Sequence, residues 1–272
     1  MSAPWFRVVE RGRNGGRFFP QDSDGWIVND LDQVGMQPEW SALVDDTVAA
    51  IVGHMVDHLD AIYLRGSVAE GRARKRTSDL DIIVLGSEAP KGLGTLVADL
   101  ERAHPVAREI AIDAFRSDQV RMDPDLAYLR VVLKAQARLL RGTDIRPYLP
   151  RVRPGRDMVF GVHNLGHRRL RLAQALEHPR EGRAVGLSIQ SFFRAALRSG
   201  FELLESSLER FTRDIDLCAD LLVLAYPSSS ALFESALDQA LAPNAATAGV
   251  TADAFMAWFT PEYECTFLRD GN

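Results

Sequence analysis

Cysteine is nearly absent from this chain of 272 residues: Cys218 and Cys265 are the only two, far apart in sequence. That excludes a disulfide framework and a cysteine-rich zinc module, and a reducing cytoplasm is the expected compartment. No apolar run approaches the roughly 18 residues needed to span a bilayer, so no membrane-spanning helix is expected. Met1-Ser-Ala-Pro-Trp-Phe-Arg7 lacks the long apolar core of a secretion signal. Aromatic residues make up only 8%, and the net charge of −5 gives no overall case for nucleic-acid binding. Gly66 and Gly71 have the spacing that begins a P-loop, but Arg72-Ala73 stands where Lys-Ser/Thr is required. Gly92-Leu-Gly94 lacks the third glycine of a dinucleotide fingerprint, and His54/His58 and His163/His167 have no third zinc ligand nearby in sequence.

What is present is the composition of a globular protein, 46% hydrophobic and 25% charged, and one informative constellation. An apolar run, Ala61 to Leu64, reaches a Gly66-Ser67 corner. A short basic segment follows, and a second apolar run begins inside Asp79-Leu-Asp-Ile-Ile-Val-Leu85. Residues i and i+2 of a strand share a face, so Asp79 and Asp81 project together while Leu80 and Ile82 face the core. Two carboxylates this close raise each other's pKa unless a cation lies between them. Mg²⁺ suits them, because it takes oxygen ligands from one or two carboxylates and the rest from water and phosphate. Gly66 lets the backbone approach a ligand closely, and Ser67 offers a hydroxyl and an N–H at the start of a short helix, where an anion is favoured. Metal pair and phosphate cradle together read as a nucleoside triphosphate site.

The pattern Leu64-Arg-Gly-Ser67, an eleven-residue spacer, then Asp79-Leu-Asp-Ile82 resembles the DNA polymerase beta-like nucleotidyltransferase superfamily. By that resemblance Asp79 and Asp81 are metal ligands for two Mg²⁺ ions, and Gly66 and Ser67 touch the β- and γ-phosphates of ATP. The superfamily also needs a third carboxylate on a neighbouring strand. Glu109-Ile-Ala-Ile-Asp-Ala-Phe115 alternates, with Glu109, Ala111 and Asp113 on one face. In the aminoglycoside (streptomycin/spectinomycin) adenylyltransferases that acid opens its strand, which fits Glu109 better than Asp113; both stay candidates. It would also ligate a metal or deprotonate the acceptor hydroxyl. The tract Phe211–Cys218 and the Lys134-Ala-Gln136 segment resemble parts of bacterial nucleotidyltransferase-like proteins. On that ground Lys134 and Arg213 are candidates to touch phosphate.

The expected fold is α+β: a small mixed-sheet nucleotidyltransferase domain over 1–150, then an all-helical domain over 151–272. Residues 1–38 form an irregular lead-in expected to pack on the first domain, and the boundary falls in the Pro/Arg stretch 147–154. Trp40, Leu43, Val44, Thr47, Val48, Ile51, Val52, Met55 and Leu59 mark an amphipathic helix into the motif strand. Asp123-Pro124 and Gly142 bracket a second helix, with Leu126, Leu129, Leu133 and Leu140 inward, and no strand is expected after Phe115. Residues 130–171 hold eleven Lys and Arg against only Asp144 and Asp157. They form a solvated helix face, a positive wall beside the triphosphate, or a landing strip for RNA. The expected reaction is Mg-dependent transfer of AMP to a hydroxyl of a small polar acceptor. The alternatives are transfer to tRNA or a protein hydroxyl, and a non-catalytic nucleotide-binding scaffold. The sequence leaves the oligomeric state open.

Overall fold

Strand residues buried on both faces fix the first unit. The computed structural model describes residues 12–268 apart from 14, 89–91, 156–157, 160–161 and 179–181. Two compact units emerge, one from 20–152 and one from 1–19 with 153–272. In the first, helix α1 (Pro38–His54) starts with proline in its opening turn and buries Trp40, Leu43, Val44, Thr47 and Ile51 at helical spacing. It feeds strand β1 (Leu59–Arg65), in which Ala61, Ile62, Tyr63 and Leu64 are all buried.

β1 lies between β2 (Leu80–Gly86) and β4 (Ala137–Gly142), antiparallel to both, and β3 (Ile110–Arg116) joins β2 in parallel, giving the order β3-β2-β1-β4. The parallel pair requires a crossover, which helix α3 (Leu93–Ala103) supplies. One face, with Ile62, Leu64, Leu80, Ile82 and Ile110, packs on α1 and α3. The other, with Ala61, Tyr63, Ile83 and Leu85, packs on Val120 of helix α4 (Ser117–Met122) and on helix α5 (Ala127–Gln136) through Leu129, Val132 and Leu133. Each such fully buried side chain contributes roughly 1.5–3 kcal/mol.

Two expectations fail here. The helix expected up to Gly142 ends at Gln136, and the next six residues form β4, a strand after Phe115. Pairing to the free edge of β1 satisfies a row of backbone groups that would otherwise be exposed, and this outweighs the helical spacing of the leucines. The lead-in also divides. Residues 20–37 pack on the sheet, with Leu31 in its core and Asn29 Nδ2 donating to Ala137 O at 2.8 Å. Residues 12–19 belong to the helical unit.

That unit holds α6 (Val162–Glu177), α7 (Gly182–Leu208), α8 (Ile215–Ala225), α9 (Ser230–Leu241) and α10 (Ala245–Tyr263). The long α7 packs against the other four. Trp258 meets Phe233 and Phe255 edge-on at 4.7 and 5.3 Å between ring centres. Arg13 Nε donates to Asp220 at 2.7 Å, and its two terminal nitrogens pair with Glu234 at 2.7 and 2.8 Å. Phe19 stacks on Phe211, with ring centres 5.3 Å apart. Cys218 is buried and Cys265 exposed, both as free thiols. Among the described residues no single helix is long and apolar enough to cross a membrane.

Candidate active site

The last residue of β1, Arg65, stands opposite Asp81 in the antiparallel ladder, and the chain then turns into the four-residue helix α2 (Gly66–Ala69). Gly66 turns it with φ +74°, and a Cβ there would lie 2.5 Å from Asp81 Oδ2. Only glycine meets both the dihedral and the space. Val68 and Ala69 anchor α2 in the core, leaving Ser67 half-buried in its first turn. The spacer returns under control of Gln37, whose side chain receives Ala73 N–H at 2.7 Å and donates to Ala73 O at 3.2 Å. Arg74, Lys75 and Arg76 are left exposed just ahead of Asp79.

Asp79 and Asp81 sit at the opening of β2 on the Ile83/Leu85 face, each one-quarter exposed. Both oxygens of Asp79 accept from Arg108, at 2.8 Å from Nε and 2.5 Å from a terminal nitrogen. Arg65 reaches across β2, 3.3 Å from Asp81 Oδ1 and 3.1 Å from Asp113 Oδ2. Burial raises the pKa of Asp81 most; Arg65 opposes it, and Asp79, Asp113 and Glu109 each add repulsion. The four acids named from the sequence therefore form one electrostatic cluster. Glu109 adjoins Asp79, its carbonyl accepting Leu80 N–H at 2.9 Å, and its exposed carboxylate makes no hydrogen bond among the described residues. Asp113 pairs in register with Ile83, further along the sheet.

Among the described residues, no three His, Cys, Asp or Glu side chains are gathered as ligands for one ion, so Asp79, Asp81 and Glu109 are not a ready-made set. The cation demanded by the carboxylate pair is supplied by two guanidinium groups instead. The donor chemistry still fits Mg²⁺, since all the acids offer hard oxygens and two carboxylates suffice when phosphate completes the shell. Arg65 and Arg108 were missed in the sequence, although each stands directly before a motif residue, Gly66 or Glu109.

Lys134 and Arg213, the candidates for phosphate contact, lie in different units. Lys134 Nζ donates to Arg146 O at 2.7 Å, and burial lowers its pKa, with Arg151 adding to the effect. Arg213 lies in the helical unit, where its carbonyl accepts from Arg198 Nε at 2.9 Å. The positive wall over 130–171 is largely tied down as well. Arg130 binds the carbonyls of Val120 and Asp123, and Arg138 that of Val34. Arg146 pairs with Asp144 and Asp32, Arg151 with Asp22, and Arg169 with Asp253. Arg156, Asp157 and Phe160 lie outside the described residues.

No family model matches the chain, and no curated protein does. Among solved structures it is similar to spectinomycin adenyltransferase AAD(9) from Enterococcus faecialis, solved with ATP and spectinomycin, at 15% identity and a TM-score of 0.48 over 79% of this chain and 96% of that chain. A likeness at that level carries no weight for binding or chemistry. The α+β class itself, a mixed sheet followed by helices, is directly visible in the chain.

Proposed function

We propose that the protein is a nucleotidyltransferase that moves AMP from ATP to a hydroxyl of a small polar acceptor and releases pyrophosphate. One observation carries this: Asp79 and Asp81 share the mouth of β2, with Asp81 packed against a glycine corner that admits no Cβ. Asp79 and Asp81 would hold Mg²⁺, which when bound neutralises charge developing on the phosphoryl oxygens. Ser67 and the backbone amides beside it would hold the terminal phosphates. Glu109, whose exposed carboxylate makes no hydrogen bond among the described residues, takes the proton of the acceptor hydroxyl as its oxygen attacks the α-phosphorus. The bond to the bridging oxygen breaks, and pyrophosphate leaves. Asp113 is less suited as base, because it lies further along the sheet, in register with Ile83. Arg130, Arg138, Arg146, Arg151 and Arg169 hold backbone carbonyls or acids of their own unit, which favours a small acceptor over RNA.

The test is a transfer screen with labelled ATP, Mg²⁺ and panels of aminoglycosides, tRNA and cell lysate. Label is expected on a small molecule, abolished by chelation and lowered at least ~10²-fold by Asp79→Asn or Asp81→Asn. Calorimetry showing no Mg-dependent triphosphate binding at millimolar ligand would refute the enzyme reading and leave a scaffold.

A further inference from the structure

We propose that Arg108 and Arg65 are resident counter-ions that keep Asp79 and Asp81 from taking a divalent cation alone, and that a triphosphate relieves this by drawing the guanidinium groups to itself. The inference rests on the triphosphate reading and adds an order of binding to it. Asp79 has no oxygen to spare, because a single guanidinium engages both in the two-point geometry that is strongest for this pair. Arg108 and Asp79 are only 20% and 25% exposed, so the pair is partly shielded from water and salt. Arg65 serves two carboxylates at once, on two strands, from the residue that opens the phosphate corner.

An arginine cannot leave by losing its proton, so these pairs dissolve only by exchange of partner. Phosphate oxygens match the same guanidinium fork that carboxylates do. The Arg65 guanidinium lies 3.3 Å from Asp81, whose carboxylate packs on Gly66, so an anion seated on that corner lies near it. Arg108 stands two residues before β3, in a loop segment where its backbone N–H donates to Ser78 O at 2.9 Å. Its stem can turn without disturbing a strand. The exchange frees carboxylate oxygens as the triphosphate arrives, so metal and nucleotide enter as a coupled pair, each raising the affinity for the other.

The test measures Mn²⁺ binding by magnetic resonance and calorimetry with no nucleotide present. Wild type is expected to bind Mn²⁺ weakly, and Arg108→Gln at least about tenfold more tightly, within the usual range of coupling between sites. Adding Asp79→Asn to Arg108→Gln should abolish the gain. Without metal, a non-hydrolysable ATP analogue should bind Arg108→Gln at least about tenfold more weakly than wild type, with Arg108→Lys partly restored. A merely structural arginine would not tighten Mn²⁺ binding when removed. Equal Mn²⁺ affinity in wild type and Arg108→Gln, with both folded by circular dichroism, overturns the proposal. If Arg108→Gln does not fold, Arg65→Gln carries the same comparison. Failure of the nucleotidyltransferase reading is seen separately, as absence of analogue binding by wild type, because the Mn²⁺ measurement involves no nucleotide.

Discussion

Individual side chains show best which parts of the site sequence can reveal. The i, i+2 aspartates and the glycine ahead of them were legible because strand geometry is local and a two-residue repeat fixes the face. Their arginine partners were not, since Arg65 meets Asp113 only after three strands have been laid side by side. The same geometry separates the two candidate bases. Glu109→Gln should lower turnover ~10²-fold or more with triphosphate affinity largely kept, and Asp113→Asn less than ~10-fold, as single-turnover kinetics would show. The reverse order would place the base further along β3.

Glu205 supplies a prediction in the helical unit. It is fully buried; one oxygen accepts Gly155 N–H at 3.2 Å and the other has no hydrogen-bond partner among the described residues. Burial, with repulsion from Glu202, pushes its pKa up to about 8 from an ordinary 4.5, despite the Gly155 hydrogen bond. The folded chain therefore holds a proton that the unfolded chain releases above pH 4.5. Its contribution to stability is full below that pH, declines as pH rises through 8, and is flat beyond, a total on the order of a few kcal/mol. Glu205→Gln should flatten this slope and melt higher than wild type at pH 8–9. Equal slopes in both proteins would show that the carboxyl is already ionised in the fold.

At the scale of elements, the departure from expectation is instructive. Leu126, Leu129 and Leu133 keep helical spacing and are helical, yet Leu140 at the next such position lies in β4. Nothing in residues 137–142 themselves announces a strand; the open edge of β1 dictates it. Gly142 was assigned as a helix stop, and its left-handed conformation is real, with φ +89°. Its purpose differs, for a Cβ there would lie 2.1 Å from Asp60 O and 2.8 Å from Ala61 Cα. Gly142→Ala should therefore cost about 3 kcal/mol or more in denaturant unfolding, since both neighbours are backbone and cannot step aside. A loss below about 1 kcal/mol would mean that β4 peels from the sheet at little cost.

For the whole molecule, the sequence of elements around the motif and the helical second half were legible from periodicity. The division of the lead-in was not, because residues 12–19 find partners more than 190 positions away. Two separate units imply local responses. Mg·ATP should slow amide hydrogen exchange at 64–69, 79–82 and 109–113, with smaller changes in α9 and α10. Uniform protection along the chain would contradict a site confined to the sheet unit.

Gly12 and Gly16 close on Asp216, where a Cβ on either would come within 2.6 Å of its carboxylate, and Arg13 grips Asp220 across 207 positions. A growing chain makes this clasp's first half 207 positions before its second. The sheet unit, which spans 20–152, is free to fold while synthesis continues. The helical unit has to wait for α8 before its opening segment has anywhere to dock. Contacts of such long span make for slow closure, so the capture of residues 12–19 is expected to follow the folding of the sheet unit.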